Sequence, residues 1–167
     1  MKFLLAALLA MLSVAAQAQT NYQFPYAPWN AFAPTRIECG YLLGANANVT
    51  TDQAIPISVP SATYLVDSIL VSNPSISMTT AAGGVYSAVS KGGVAIVASS
   101  QVYSALTTNS ANTTGNALLL TISTAGNTTA FQGPTQSSPQ TTVYLSLTTA
   151  QGSAGTFDVR VYCRPAF

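Results

Sequence analysis

Apolar and polar residues alternate with a period of two along several short runs that follow residue 36. The clearest run is Tyr64 to Ser72, in which Leu65, Asp67, Ile69 and Val71 are expected to share one face of a strand. Such alternation is typical of strands, because successive side chains of a strand point to opposite faces. Further strands are predicted at 36–43, 85–89, 94–97, 101–107, 142–148 and 156–163. The run 55–59 is at most an edge strand because of its prolines, and 117–123 is predicted as a short apolar strand buried on both faces.

Turn-forming residues separate these runs. Gly, Asn, Thr and Pro predict loops at 44–52, 109–116 and 124–140, and no convincing amphipathic helix follows the N-terminal segment. Eight or nine short strands joined by turns predict an all-β domain. We expect a β-sandwich of jelly-roll-like form, or a similar barrel.

A predicted hairpin stands near the middle of the chain. Its strands are Val85 to Val89 and Val94 to Val97, with Lys91-Gly92-Gly93 as the turn. Tight hairpin turns need positive φ angles, which glycine adopts without steric cost. We therefore expect the pair Gly92-Gly93 to supply them.

The first 18 residues have the pattern of a secretory signal peptide. A basic start at Lys2 precedes the apolar run 3–12, and the small residues Ala16 and Ala18 predict cleavage after Ala18. The apolar run is shorter than the roughly 20 residues of a transmembrane helix. An uncleaved anchor or a buried helix is the alternative, but we expect no membrane span after cleavage and a secreted protein, periplasmic or extracellular.

Residues 19–35 form a separate zone, an arm rich in aromatic residues and proline. Proline opposes a regular helix and favours extended backbone. Exposed aromatic side chains at this density favour association. We expect the arm to pack on its own domain, residues 36–167, or to dock on another subunit or partner through Tyr22, Phe24, Tyr26, Trp29 and Phe32.

Charge is scarce. The 167-residue chain is 5% charged with a net charge of +1, and removal of residues 1–18 takes away Lys2 and leaves four cations against four anions. A nucleic-acid surface needs clustered Lys or Arg, so we expect no nucleic-acid partner. A net charge of zero also removes self-repulsion, which favours association with other protein chains, including copies of this one.

The chain contains two cysteines, Cys39 and Cys163. In an exported protein we expect them to pair, which would make the first and last strands neighbours. Two free buried thiols are the alternative. Two cysteines without any histidine do not supply the usual zinc ligands.

Few groups suit catalysis, and we expect no catalytic residue, no cofactor and no metal. Without histidine there is no Ser-His-Asp or Cys-His nucleophile. Asp67 and Asp158 are the one acidic pair on the best-predicted strands, but Asp67 suits a sheet margin or an arginine partner, and Asp158 has Arg160 on the same face as a partner. For calcium, which takes six to eight oxygen ligands, the loop residues Asn46, Asn48 and Asp52 are a weak candidate site.

Two segments resemble small β-rich proteins encoded in the structural gene regions of tailed phages and prophages. They are Tyr64 to Ser104, with TTAAGGVYSAVSKGGVAIVASSQVYSAL at its centre, and Val143 to Tyr162, VYLSLTTAQGSAGTFDVRVY. The resemblance covers about half of the chain after residue 18 and implies a structural or accessory role in the virion, with no catalytic residues. The signal peptide instead indicates an exported relative of the same fold.

We therefore expect a non-enzymatic structural or assembly protein that acts through protein–protein contacts and forms homo-oligomers, either exported or virion-associated. The alternative is an extracellular glycan-binding module that uses Tyr22, Tyr26, Trp29 or other surface aromatics.

Overall fold

The computed structural model describes residues 36–108 and 116–166, and all of these belong to one compact unit of the chain. The described residues form nine strands and one short helix. In chain order they are β1 (Ile37–Asn46), β2 (Gln53–Pro56), β3 (Thr63–Ser72), β4 (Ala82–Ala88), β5 (Gly92–Val97), β6 (Ala117–Leu119), α1 (Thr124–Thr128), β7 (Phe131–Gln132), β8 (Thr142–Thr149) and β9 (Thr156–Pro165).

The strands pair into two antiparallel sheets. The first has the order β1-β9-β3-β6, with β7 also paired to β3, and the second has the order β2-β8-β4-β5. Apolar side chains of both sheets meet in one buried cluster, which includes Ile69 and Val161 from the first sheet and Val85 and Leu145 from the second. The predicted all-β class and β-sandwich are confirmed, and the jelly-roll form stays a prediction.

Each pair of neighbouring sheet edges is joined by a few backbone contacts. On one side Gly40 of β1 bridges Ile57, whose N–H donates to the carbonyl of Thr141 beside β8. On the other side Val97 of β5 bridges Ile122, just after β6. These bridges shorten the free edges, which are the usual sites of strand-to-strand aggregation.

The disulfide joins Cys39 and Cys163, as the sequence predicts, with a Cα–Cα distance of 5.6 Å. It ties β1 to β9, the first and last strands, which are hydrogen-bonded neighbours. Both cysteines are buried. The prediction that these strands lie side by side is therefore confirmed.

Strict alternation fails in β3, although its bounds match the predicted run. Tyr64 and Val66 are buried, and then Ile69 and Val71 are buried. The reason is a β-bulge opposite β9, where Asp67 is the extra residue and reverses the phase of the strand. The prediction that Asp67 shares a face with Ile69 and Val71 is wrong.

The second half of the chain departs from prediction in three places. Residues 101–107 form no strand and contribute a bridge at Val102. The loop predicted at 124–140 contains α1, whose first turn is capped by the Ser123 hydroxyl, which accepts from the N–H of Gly126. Residues 117–123 are not buried on both faces, because Leu119 of β6 is 60% exposed.

Candidate functional sites

Most of the charge lies on one surface, the outer face of the β1-β9-β3-β6 sheet, which we call the charged face. The described residues hold eight charged side chains, and only Asp52 and Lys91 lie elsewhere. The other six project from β1, β3 and β9 or, for Arg36, from the residue before β1. They are Arg36, Glu38, Asp67, Asp158, Arg160 and Arg164.

One end of the charged face is positive. Arg36 Nε lies 3.4 Å from Asp67 Oδ2, and Arg164 Nε lies 3.6 Å from Asp67 Oδ1. The Arg36 guanidinium also lies 4.5 Å above the ring of Tyr162 and donates to the hydroxyl of Ser68. Two cations around one carboxylate leave this end with a net charge of +1. The expectation that Asp67 pairs with an arginine is confirmed.

The middle of the face is neutral and its far end is negative. Arg160 Nη1 donates to Glu38 Oε2 at 2.9 Å, an interaction that raises the pKa of Arg160. Asp158 accepts from the backbone N–H of Gly44 at 2.9 Å and from the Asn73 amide at 2.8 Å. The predicted Asp158–Arg160 partnership is therefore wrong, because Glu38 occupies Arg160. Asp158 carries a net charge of −1 at this end.

These ion pairs are partly exposed, with side-chain exposures from 33% to 49%. Pairs of this kind contribute little to stability, because water screens them and ordering long side chains costs entropy. The pairs therefore do little to hold the fold together. Their charges remain accessible to a partner.

Exposed apolar side chains accompany the charges. Tyr41 and Leu43 of β1 are 57% and 60% exposed, and Leu119 at the opposite edge is also 60% exposed. Tyr41, Arg160, Leu70 and Leu119 form one row of paired positions across the four strands of the sheet. The face thus combines three apolar residues of this row, Tyr41, Leu70 and Leu119, which we call the apolar row, with Arg160 between them and further charges at both ends, a mixture common at protein interfaces.

A second feature is an open polar cavity of about 420 Å³ beside the other sheet. In its lining the backbone N–H of Ser90 donates to Asp52 Oδ2 at 2.5 Å. We call it the polar cavity, and its lining residues are Thr50, Thr51, Asp52, Ser90, Lys91 and Ser146.

Asp52 is the charged centre of the polar cavity. The hydrogen bond from the Ser90 N–H holds the pKa of Asp52 below its ordinary value, with smaller effects of the same sign from the Ser146 hydroxyl and the Lys91 charge. Asp52 is therefore ionised at neutral pH. The described residues place no carboxylate within 4.0 Å of the Lys91 amine, so that cation also faces the cavity without an ion-pair partner.

Ser146 is the unusual residue of the cavity. It lies on β8 between the core residues Leu145 and Leu147, so its side chain points to the outer face of the sheet, yet it is 1% exposed. Its hydroxyl oxygen is buried, and the Asp52 carboxylate, whose pKa this hydroxyl helps to lower, is the acceptor beside it. Buried polar groups are hydrogen-bonded in the great majority of cases, which agrees with a contact between this hydroxyl and Asp52.

The wall of the cavity is the turn between β4 and β5. Ser90 and Lys91 have φ angles of 56° and 58°, and the N–H of Gly92 donates to the carbonyl of Val89 at 3.0 Å. This is a two-residue turn of type I′, which requires positive φ at both central residues. The predicted turn Lys91-Gly92-Gly93 is wrong in its bounds. Lys91 is a central turn residue, but the other is Ser90, whose N–H donates to the Asp52 carboxylate. Gly92 begins β5, and of the two glycines only Gly93 has a positive φ, of 67°.

The predicted site residues have different outcomes. The structure pairs Cys39 with Cys163. The arm residues Tyr22, Phe24, Tyr26, Trp29 and Phe32 lie outside the described residues, so the predicted interaction arm stays a prediction.

The three candidate calcium ligands, Asn46, Asn48 and Asp52, do not form a common site. Asn46 Oδ1 accepts from the N–H of Asn48, and Asn48 Oδ1 accepts from the N–H of Gly152, so both side chains shape the loop. Within the described ranges no group of three acidic, cysteine or histidine residues is placed to hold a metal ion. Asp52 faces the polar cavity instead.

The described residues define an antiparallel β-sandwich. No protein-family model, curated protein or solved structure matches the chain. No helix among the residues that the structure describes is long and apolar enough to span a membrane.

Proposed function

We propose that this chain is a non-enzymatic structural or assembly protein that acts through protein–protein contacts, and that the charged face binds a second copy of the chain. The observation that carries the proposal is the grouping of six of the eight described charges on one sheet face, beside exposed apolar side chains.

The distribution of charge on this face makes it self-complementary. The end with Arg36, Asp67 and Arg164 carries +1, and the end with Asp158 carries −1. Two copies related by a two-fold axis that lies in the plane of the interface, at right angles to the line joining the two ends, place the positive end of one copy over the negative end of the other. Such an interface uses the same patch on both subunits, as in the commonest class of homo-oligomer.

The joined sheet edges favour face packing over strand addition. A peptide or second copy adds a strand only where an edge presents free N–H and C=O groups. Here Ser58 donates to the carbonyl of Cys39 on β1, and Ser123 donates to the carbonyl of Ile96 on β5. These contacts occupy parts of both edges, so the exposed face of the sheet is the larger available surface.

A role without catalysis agrees with the chemistry of the chain. The sequence contains no histidine, and the acidic residues Asp67 and Asp158 are engaged with Arg36, Arg164, Asn73 and a backbone amide. Export is supported by the signal-peptide pattern of residues 1–18 and by the disulfide, which oxidising compartments favour. Virion association remains the alternative setting, from the resemblance to phage structural proteins.

The test is a pair of matched substitutions. Leu119→Lys places a charge in the apolar row of the charged face, and Val102→Lys makes the same change at a residue of similar exposure, 57%, beside β4 of the other sheet. We expect sedimentation across a concentration series to show wild-type dimers or larger species. Leu119→Lys should weaken association by about tenfold or more, and Val102→Lys should leave it unchanged.

A wild-type chain that stays monomeric up to millimolar concentration would refute the proposal. Equal effects of the two substitutions would also refute the proposal, because they would show that the charged face is not the interface.

A further inference from the structure

We infer that formation of the Cys39–Cys163 disulfide gates self-association, so that the charged face binds a second copy only after oxidation. The inference rests on the proposed self-association and names its regulation. Cys163 stands in β9 between Tyr162 and Arg164, whose side chains belong to the positive end of the charged face. Both cysteines are buried on the opposite, inner side of the sheet. The bond therefore lies directly beneath the positive end.

β-bulges interrupt the pairing of β9 with both of its neighbours at this end. On one side Cys39 is the extra residue of β1, opposite Tyr162 and Val161. On the other side Asp67 is the extra residue of β3. A bulge leaves its extra residue unpaired and disrupts the ladder locally. Strand pairing alone therefore holds this end of the charged face less firmly than the rest.

The end of β1 beyond its bulge carries one of the two cations of the positive end. Ile37 and Glu38 are the two positions of β1 that pair with β9 beyond the bulge. Arg36 precedes them, and its Nε lies 3.4 Å from Asp67 Oδ2. The covalent bond at Cys39 fixes the strand right after these residues and so keeps Arg36 over Asp67.

The ion pair of Arg36 does not replace the bond. Its side chains are 49% and 33% exposed, so water screens the attraction. Without the disulfide the end of β1 at 36–38 can separate from β9, while Gly40 to Asn46 keep their pairing and the fold.

Separation of this strand end changes the charge of the interface. Asp67 is left with Arg164 alone, so the net charge of the positive end falls from +1 to zero. The Asp158 end of a second copy then meets no opposite charge. Charge complementarity steers association and fixes its register, so the reduced chain associates weakly.

Formation of the bond needs an oxidant, and a disulfide such as oxidised glutathione is the class that supplies it. The thiolate of one cysteine attacks the oxidant and releases one thiol, and the second cysteine attacks the mixed disulfide and releases the other. Two electrons and two protons pass to the oxidant. The finished bond is 4% exposed at Cys39 and 0% at Cys163, so reductants reach it slowly. The gate therefore acts once, when the chain enters an oxidising compartment.

The first test follows refolding of the reduced full chain with oxidised glutathione. At intervals the species are separated by size, and each fraction is then denatured in iodoacetamide, so that every free thiol reacts. Mass spectrometry should find at least about tenfold fewer alkylated chains in dimers and larger species than in monomers. A smaller depletion overturns the inference.

The second test separates the gate from a general loss of stability. Cys39→Ala/Cys163→Ala removes the bond, and Leu145→Ala weakens the core beneath the other sheet but keeps the bond. Sedimentation is measured where circular dichroism shows each variant to be folded. The cysteine variant should associate about tenfold more weakly than the wild type, and Leu145→Ala should associate as the wild type does.

Wild-type affinity in the cysteine variant, or equal weakening in both variants, overturns the inference. If the cysteine variant does not fold, the first test decides. An oxidised wild-type chain that stays monomeric refutes the proposed self-association and the gate with it, whereas dimers of the reduced chain refute the gate alone.

Discussion

Removal of the Cys39–Cys163 disulfide is the perturbation with the largest effect that the structure allows us to calculate. The bond joins residues 124 apart in sequence, in strands at the two ends of the described chain. A covalent link over so long a loop restricts the unfolded chain strongly. The folded chain loses little freedom from it, because β1 and β9 are already paired.

The chain-entropy relation gives the magnitude. For a loop of 124 residues, the lost unfolded-state entropy corresponds to about 5 kcal/mol at 25 °C. Small domains have a total unfolding free energy of about 5–15 kcal/mol. The disulfide thus supplies a third or more of the stability, and a chain at the lower limit would unfold on reduction.

Urea unfolding followed by circular dichroism measures this effect. With a urea dependence of about 2 kcal/mol/M, reduction of the wild-type chain should lower the midpoint by about 2.5 M. Reduction keeps both sulfur-bearing side chains, so the shift reports the cross-link and not a cavity. The Cys39→Ala/Cys163→Ala variant is the control, because reductant should leave its midpoint unchanged. A shift below about 0.5 M in the wild type would refute the entropic reasoning.

Three further predictions concern the cavity and the arm. Ser146→Ala should bring the pKa of Asp52 closer to its ordinary value in an NMR titration, because the Ser146 hydroxyl helps to lower it; an unchanged Asp52 pKa would show that the hydroxyl does not act on this carboxylate. The pKa of Asp52 is lowered, so its bond to Ser90 should stabilise the fold above pH 3.8 and be lost as the pH falls through the lowered pKa; a Ser90 amide titration at or above pH 3.8 would contradict this. Deletion of residues 19–35 should reduce the oligomer mass in light scattering if the arm docks on a neighbouring copy, and an unchanged mass would rule out that role.

Local patterns predict the strands of this protein well and their faces less well. Alternation locates β3, β8 and β9 within two residues, because each strand has one face in the core. It fails at Asp67, since a bulge depends on the register with β9 and not on the residues of β3 alone. A strictly alternating pattern therefore does not predict the complete charged face, because it places Asp67 among core residues.

The turn between β4 and β5 shows a similar limit. Composition favours Gly92-Gly93, because glycine adopts positive φ at no steric cost. The chain instead uses Ser90 and Lys91, since a carboxylate 38 residues away accepts the N–H of Ser90. A contact between distant residues overrides the local preference. The cavity follows from the same contact, so nothing in the sequence near Ser146 indicates that its hydroxyl is buried.

Association through the charged face depends on electrostatics, because it joins exposed charges of opposite sign. Salt at 0.1 M already screens such charges beyond about 10 Å. The six charges gathered on one sheet therefore make this face salt-sensitive. Self-association that persists unchanged from 0.05 M to 1 M salt would place the contact on the apolar row of Tyr41, Leu70 and Leu119 and not on the charges around it.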